Sequence, residues 1–224
     1  MSRLRLLVAL LVTVLVTGMS SPTGAQAVPT REQWLKDVNK AMKGSGDYLR
    51  DRTEPVDVDE KLAINFDIDN SSIASYYDGP QAGAIPRIMK FADLAQSLGV
   101  SLVFNTGRIN TQQERTITQL TDAGYDVAML CMRKKGETIP HGKQRCRNKF
   151  INAGYTLIAN VGNNPTDFVG TGYEKAYRLP TTAASSASGR TAPGSSRPTG
   201  RIRPRARSWV RSHGSPRRTS PRTR

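Results

Sequence analysis

The sequence predicts an α/β fold, a parallel sheet with helices on both faces. Three observations carry that expectation. Short apolar runs of strand length alternate with segments of helical periodicity, an order that implies right-handed crossovers between parallel strands. Polar, chemistry-bearing residues follow the strands, where ligands of such sheets bind. Finally, residues 28–180 form a nearly neutral stretch of a length suited to one core.

The elements are justified in order. A first helix is expected over Arg31 to Lys43, where Trp34, Leu35, Val38, Ala41 and Met42 recur at helical spacing before Gly44-Ser45-Gly46 stops it. A short segment, Asp47 to Arg52, leads to Pro55. Lys61 to Phe66 reads as a buried strand, and Ile85 to Leu98 as a helix closed by Gly99. Val100 to Asn105 is the second strand. Thr111-x-x-Glu114 reads as a capping box opening a helix that ends at Gly124. Asp126 to Leu130 is expected as the third strand, Lys143 to Asn152 as a helix, Thr156 to Asn160 as the fourth strand and Glu174 to Leu179 as a short fifth.

The chain of 224 residues carries a formal charge of +15, which taken whole suggests a polyanion or membrane-surface binder. The charge is concentrated at the ends. Residues 181–224 hold 11 arginines with no lysine and no acid, and Arg3 and Arg5 stand at the N-terminus, which leaves 20 basic and 18 acidic residues in between. Arg3 and Arg5, the apolar run Leu6 to Val16 and the motif Ala25-Gln26-Ala27 predict a secretory signal peptide over residues 1–27. The apolar run is too short for a membrane span. The stretch 181–224, rich in Ser, Thr, Arg, Pro, Gly and Ala, cannot bury a core and is expected to be disordered. Two readings of it stand: electrostatic attachment to polyanions, or the product of a frame-shifted read of GC-rich DNA. No base-reading module precedes it, so specific nucleic-acid recognition is not expected.

The candidate chemistry lies in the neutral middle. Asp67, Asp69, Asn70 and Ser71 follow the first strand, Thr106, Gly107 and Arg108 the second, and Gly162, Asn163, Asn164 and Asp167 the fourth, with Lys143 opening the helix before it. Two aspartates directly after a buried strand call for a cation, and Mg²⁺ suits their oxygens, with Asp167 approaching from the fourth loop. A carboxylate so placed can attack phosphorus while a second one moves the proton. Thr106, neighbouring backbone N–H groups and Lys143 would supply donors to the phosphoryl oxygens.

These segments resemble the haloacid dehalogenase (HAD) superfamily, with its DxDx(T/V) motif, its Thr/Ser after the second strand, its Lys and its acidic fourth loop. More narrowly, DIDNSSIASYY (67–77), SLGVSLVFNTGR (97–108), Ala123-Gly124-Tyr125 and GYTLIANVGNNPTDFVG (154–170) are similar to the secreted class B acid phosphatases and plant vegetative storage proteins. The resemblance covers about Leu62 to Leu179. It implies a Rossmann-like fold without a large cap domain and a secreted, Mg²⁺-dependent acid phosphatase acting on small phosphate monoesters through an aspartyl-phosphate. Asp67 would be the nucleophile and Asp69 the general acid/base. Thr106, Gly107, Lys143 and Arg147 would bind phosphate, and Asp67, Asp69, Asn163 and Asp167 the metal. Arg147 has a second reading, as a support for the acidic loop, and Arg108 could serve in either way; a surface ion pair is the plainer role for both. Tyr76 and Tyr77 either flank the pocket or pack on the sheet edge. Asn163 stands where the family most often has aspartate, and Ser71 where it has threonine. A catalytically feeble binding or storage protein of the same fold is therefore the competing reading.

Other phosphatase chemistries lack their residues. His141 and His213 are the only histidines, and neither Cys131 nor Cys146 is followed by arginine at the spacing of a phosphocysteine enzyme. The two cysteines, 15 apart in a chain expected to be secreted, are read as a disulfide joining the third strand to the next helix, with two buried thiols as the other reading.

Overall fold

A computed structural model describes residues 28–54 and 60–182. The expected signal peptide and almost all of the basic tail lie outside the described residues. Five parallel strands form one sheet in the order β3-β2-β1-β4-β5, with β1 at Lys61–Phe66, β2 at Ser101–Ile109, β3 at Met129–Arg133, β4 at Tyr155–Gly162 and β5 at Lys175–Arg178. The chain moves outward from β1 through β2 to β3, then returns to the other side of β1 for β4. That reversal opens a crevice at the carboxyl ends of β1 and β4, the place where such sheets hold ligands.

Alternation along each strand sends residues to two different layers. Leu62, Ile64 and Phe66 of β1, Leu102 and Phe104 of β2, and Ile158 and Val161 of β4 belong to the larger core. Four helices cover it: α1 (Arg31–Ala41), α2 (Ser45–Thr53), α4 (Pro86–Ser97) and α5 (Gln113–Asp122). Their fully buried anchors include Trp34, Val38, Leu49, Ile88 and Leu120, each worth about 1.5–3 kcal/mol of burial. The smaller core joins Ala63, Val103 and Leu157 to Cys146 and Phe150 of α6 (Ile139–Asn152). Cys131 of β3 and Cys146 are disulfide-bonded, which settles the cysteine pair and fastens α6 to the sheet. On loop-entropy grounds such a closure contributes about 3 kcal/mol.

Between β1 and β2 the chain holds only the single turn α3 (Ser75–Asp78), a 3-10 turn and α4, so no large cap is present. Several boundaries differ from expectation. α6 begins four residues before Lys143, because Pro140 is acceptable in a first helical turn and does not mark a loop there. β2 runs on through Thr106, Gly107 and Arg108, and β3 lies three residues later than its apolar run suggested. The expected capping box at Thr111 does not form: residues 110–112 make a 3-10 turn and the N-cap of α5 is Gln112, without a side-chain bond. A capping box is found instead at Asn164 and Asp167. Thr182, two residues beyond the expected boundary at Pro180, is buried.

Candidate active site

Of the eight residues to which the resemblance gives a catalytic, phosphate-binding or metal-binding role, seven line one cavity of about 240 Å³: Asp67, Asp69, Thr106, Gly107, Lys143, Asn163 and Asp167. β1, β2 and β4 bring most of them to one edge, Asp167 comes from the 3-10 turn after β4 and Lys143 from α6. Asp67 follows β1 directly, its N–H donating to Val161 O of β4 at 2.8 Å. Beyond it the chain reverses sharply at Asn70, the only non-glycine with positive φ (56°) among the described residues. Asn70 tolerates that conformation, and its Oδ1 accepts the N–H of Tyr76 at 2.8 Å. Ser72 Oγ donates to Asp67 O at 2.7 Å and Ser71 Oγ to Asp67 Oδ2 at 2.8 Å, so the loop is tied back on to the aspartate.

Lys143 is 3 % exposed, and its ammonium lies between two carboxylates, 2.5 Å from Asp67 Oδ1 and 2.8 Å from Asp167 Oδ1. Asn105 fixes it from both ends: the lysine Nζ donates to Asn105 O at 2.6 Å, and Asn105 Nδ2 donates to Lys143 O at 2.9 Å. Asp167 is oriented by the N–H of Asn164, which donates to its Oδ2 at 2.8 Å. Its carboxylate lies so close over the end of β4 that a Cβ on Gly162 would stand 2.5 Å from Oδ2, so this approach requires glycine. Burial and the neighbouring Asp167 charge push the Asp67 carboxyl up, to about 7, against the opposing pull of Lys143. Burial pulls the Lys143 ammonium down, but the two carboxylates outweigh it and raise it above its ordinary value.

Asp69 is held differently. Arg108 grips it at two points, Nε to Oδ2 at 2.8 Å and Nη2 to Oδ1 at 2.7 Å, and is itself anchored by Nη1 donating to Gln119 Oε1 at 2.8 Å. Burial alone would raise Asp69; this bidentate pairing overcomes it and holds the carboxyl below the ordinary range. The pair is part of the cavity wall, with the Arg108 side chain 17 % exposed, and so differs from a plain surface ion pair.

Arg147 is the exception among the eight. Its side chain is fully buried and takes the second of its two roles, holding the acidic loop through Asp167 O (2.9 Å), Thr171 O (3.0 Å) and Val169 O, with Gln144 Oε1 at 2.8 Å. Tyr77 packs on Trp34 with ring centroids 5.0 Å apart, and Tyr76 is exposed; neither lines the cavity.

The oxygen donors suit a hard cation in kind. Ser71 Oγ lies 2.8 Å from Asp67 Oδ2 and 3.4 Å from Asn163 Oδ1, so two acceptor oxygens face a common point now served by one hydroxyl. In number of charges the set is lean: among the described residues no three His, Cys, Asp or Glu side chains are grouped to hold a metal. A cation here would rely on Asn163 and a main-chain carbonyl beside Asp67 and Asp167.

Sequence reasoning passed over the supports. Asn65, Asn105 and Asn160 are each a lone asparagine following apolar residues within β1, β2 and β4, and all three are buried. Asn65 Nδ2 donates to Asn160, and Asn160 Nδ2 to Asp167 O at 3.0 Å. The signal was the asparagine itself, a poor strand former recurring in three central strands.

The chain is similar to known proteins in sequence and in fold. The model of the HAD superfamily, subfamily IIIB (acid phosphatase), matches residues 74–187, half of the chain. The match starts after Asp67 and Asp69, whose part rests on their geometry. Acid phosphatase 1 of Solanum lycopersicum is 23% identical over 155 residues, 67% of this chain and 57% of that protein. The stem 28 kDa glycoprotein of Glycine max is 27% identical over 106 residues, 44% of this chain and 42% of that protein. The chain thus spans about half the length of the curated relatives it matches. The class C acid phosphatase from Bacillus anthracis with tungstate bound shares the fold, with a TM-score of 0.54 and 19% identity over 68% of this chain and 79% of that one. With half of its length matched, and its parallel sheet shared with a solved acid phosphatase, this chain belongs to the HAD superfamily, subfamily IIIB.

Proposed function

We propose that this protein is an exported acid phosphatase that hydrolyses small phosphate monoesters through an aspartyl-phosphate on Asp67. One observation carries the reading: a buried ammonium, Lys143, lies between the carboxylates of Asp67 and Asp167 in the crevice at the β1 and β4 ends. Such a site is costly to build unless its charges are used. Family membership and the acid phosphatase among the relatives support the same chemistry. The disulfide supports export, since such bonds persist in oxidising compartments.

In the proposed reaction an Asp67 oxygen forms the new bond to phosphorus as the ester oxygen leaves with a proton from Asp69. Asp69, then ionised, takes a proton from the water that displaces Asp67 and releases inorganic phosphate. Lys143, the Thr106 hydroxyl and the Gly107 N–H donate to the phosphoryl oxygens. Asp67, Asp69 through its main chain, Asn163 and Asp167 would hold Mg²⁺, which when bound offsets the charge of phosphate and carboxylates. Because Arg108 keeps Asp69 in its ionised form, loading that residue with a proton belongs to the acid range.

The test is turnover of para-nitrophenyl phosphate by the full chain at pH 4–8, with Mg²⁺ or with EDTA, beside Asp67→Asn. Metal-dependent release of phosphate that the substitution abolishes is expected. An absence of turnover above buffer across that range would overturn the proposal and leave the binding-protein reading, which the missing acid at Asn163 favours.

A further inference from the structure

The catalytic cavity does not end at Arg108. That guanidinium is the common wall of a second cavity, of about 360 Å³, lined also by the turn after α3 and by α5. Its polar lining holds two arginines, Arg108 and Arg115, with Gln112, Gln119, Ser75 and Thr116, and no carboxylate. Gln119 is engaged, its Nε2 donating to Pro80 O at 3.0 Å and its Oε1 accepting from Arg108. Arg108 is spent on Asp69, whereas Arg115 is exposed and makes no hydrogen bond or ion pair among the described residues. Farther along, the groove widens to about 650 Å³, where Glu114 and Asp122 join Arg115.

The place of this cavity follows from the reaction. Asp69 can protonate only an oxygen within its own reach, and the carboxyl of Asp69 is held on Arg108. An alcohol half that Asp69 protonates therefore leaves beside the Arg108 wall, and the second cavity lies next to that wall. We infer that this cavity is a leaving-group subsite for phosphate esters whose alcohol half carries a second anionic group, read by Arg115. The inference rests on the phosphatase reading of the neighbouring site. It further limits the anion to a position near the ester, because the carboxylates of Glu114 and Asp122 oppose one placed deeper in the groove.

A matched pair of aryl esters tests this: 4-(phosphonomethyl)phenyl phosphate and 4-methylphenyl phosphate, assayed with the full chain, Arg115→Ala and Arg115→Lys. A charge-assisted contact at an exposed arginine is expected to give the wild type about a fivefold higher kcat/KM on the phosphonate ester. Arg115→Ala should bring the two esters level while leaving the methyl ester unchanged, and Arg115→Lys should keep most of the preference. Equal rates in the wild type, or a preference that survives Arg115→Ala, overturn the subsite. If neither ester is hydrolysed, the phosphatase reading fails and calorimetric binding of the two esters decides. The same ratio between them, lost in Arg115→Ala, supports the subsite, and equal affinities overturn it.

Discussion

On one side of the sheet Phe66, Phe104 and Val161 lie in an apolar layer under α1, α2, α4 and α5; on the other, residues adjacent to them in the strands, Asn65, Asn105 and Asn160, lie on the side of α6. The first layer is joined by contacts without direction, including the Phe66 and Phe104 rings stacked 5.7 Å apart. The second is joined by directional bonds that end on Lys143 and on the Asp167 loop. The difference shows how one sheet divides its labour. Apolar packing is non-directional and supplies stability, whereas a buried polar network holds atoms at fixed distances and is costly when one member is left unpaired.

The sharpest way to break that division is at Lys143. Lys143→Met keeps much of the volume but leaves Asp67 and Asp167 buried together without their cation. Removing one partner of a buried pair costs about 3–5 kcal/mol, and losing a phosphate donor costs about 10²–10³ in kcat. Both losses are expected together, read by thermal melting and by turnover of para-nitrophenyl phosphate. A variant that melted like the wild type would show that the lysine is not the element holding the two carboxylates.

The opposite face should separate what Lys143 joins. Ile88, fully buried in α4, belongs to the apolar layer and lines none of the cavities at the site. Ile88→Ala should lower stability by about 2–4 kcal/mol through lost burial and the cavity left behind. The folded fraction should keep its kcat and KM. A tenfold fall in kcat without unfolding would mean that the two faces are coupled and the division is not real.

The same contrast explains what could be read in the sequence. Apolar periodicity reports the packed face, so the strands and major helices were legible, as were the polar residues placed after strand ends. Arg147 was harder. Its spacing from Lys143 predicts a shared helix face, but spacing says nothing of what the far loop offers, and there the carbonyls of Asp167, Val169 and Thr171 converge on the guanidinium. Asn105 was missed for a related reason: it acts through its main-chain oxygen as well as its side chain, and a main-chain acceptor has no letter of its own. α6 starts four residues ahead of the expected Lys143, since Pro140 and Gly142 are both accommodated within its opening turns.

A smaller effect tests the polar face through pH. Glu137, in the turn before α6, accepts from Arg145 Nε at 2.8 Å and Nη2 at 2.9 Å and from the N–H of Lys134 at 2.8 Å. The Arg145 bonds, helped by that N–H and opposed by burial, hold its carboxyl down to about 2. A carboxyl depressed by folding contributes stability that is complete above its unfolded value and is lost as the pH falls toward its folded one. Glu137→Gln should therefore lower the Tm by about 4 °C at pH 7. The gap should narrow through the acid range, and at pH 3 it should be clearly smaller. Ile88→Ala, whose loss is apolar, should show a gap that does not close. If the Glu137→Gln deficit were as large at pH 3 as at pH 7, the residue would be acting by packing alone, and the electrostatic account of how the turn before α6 is held would fail.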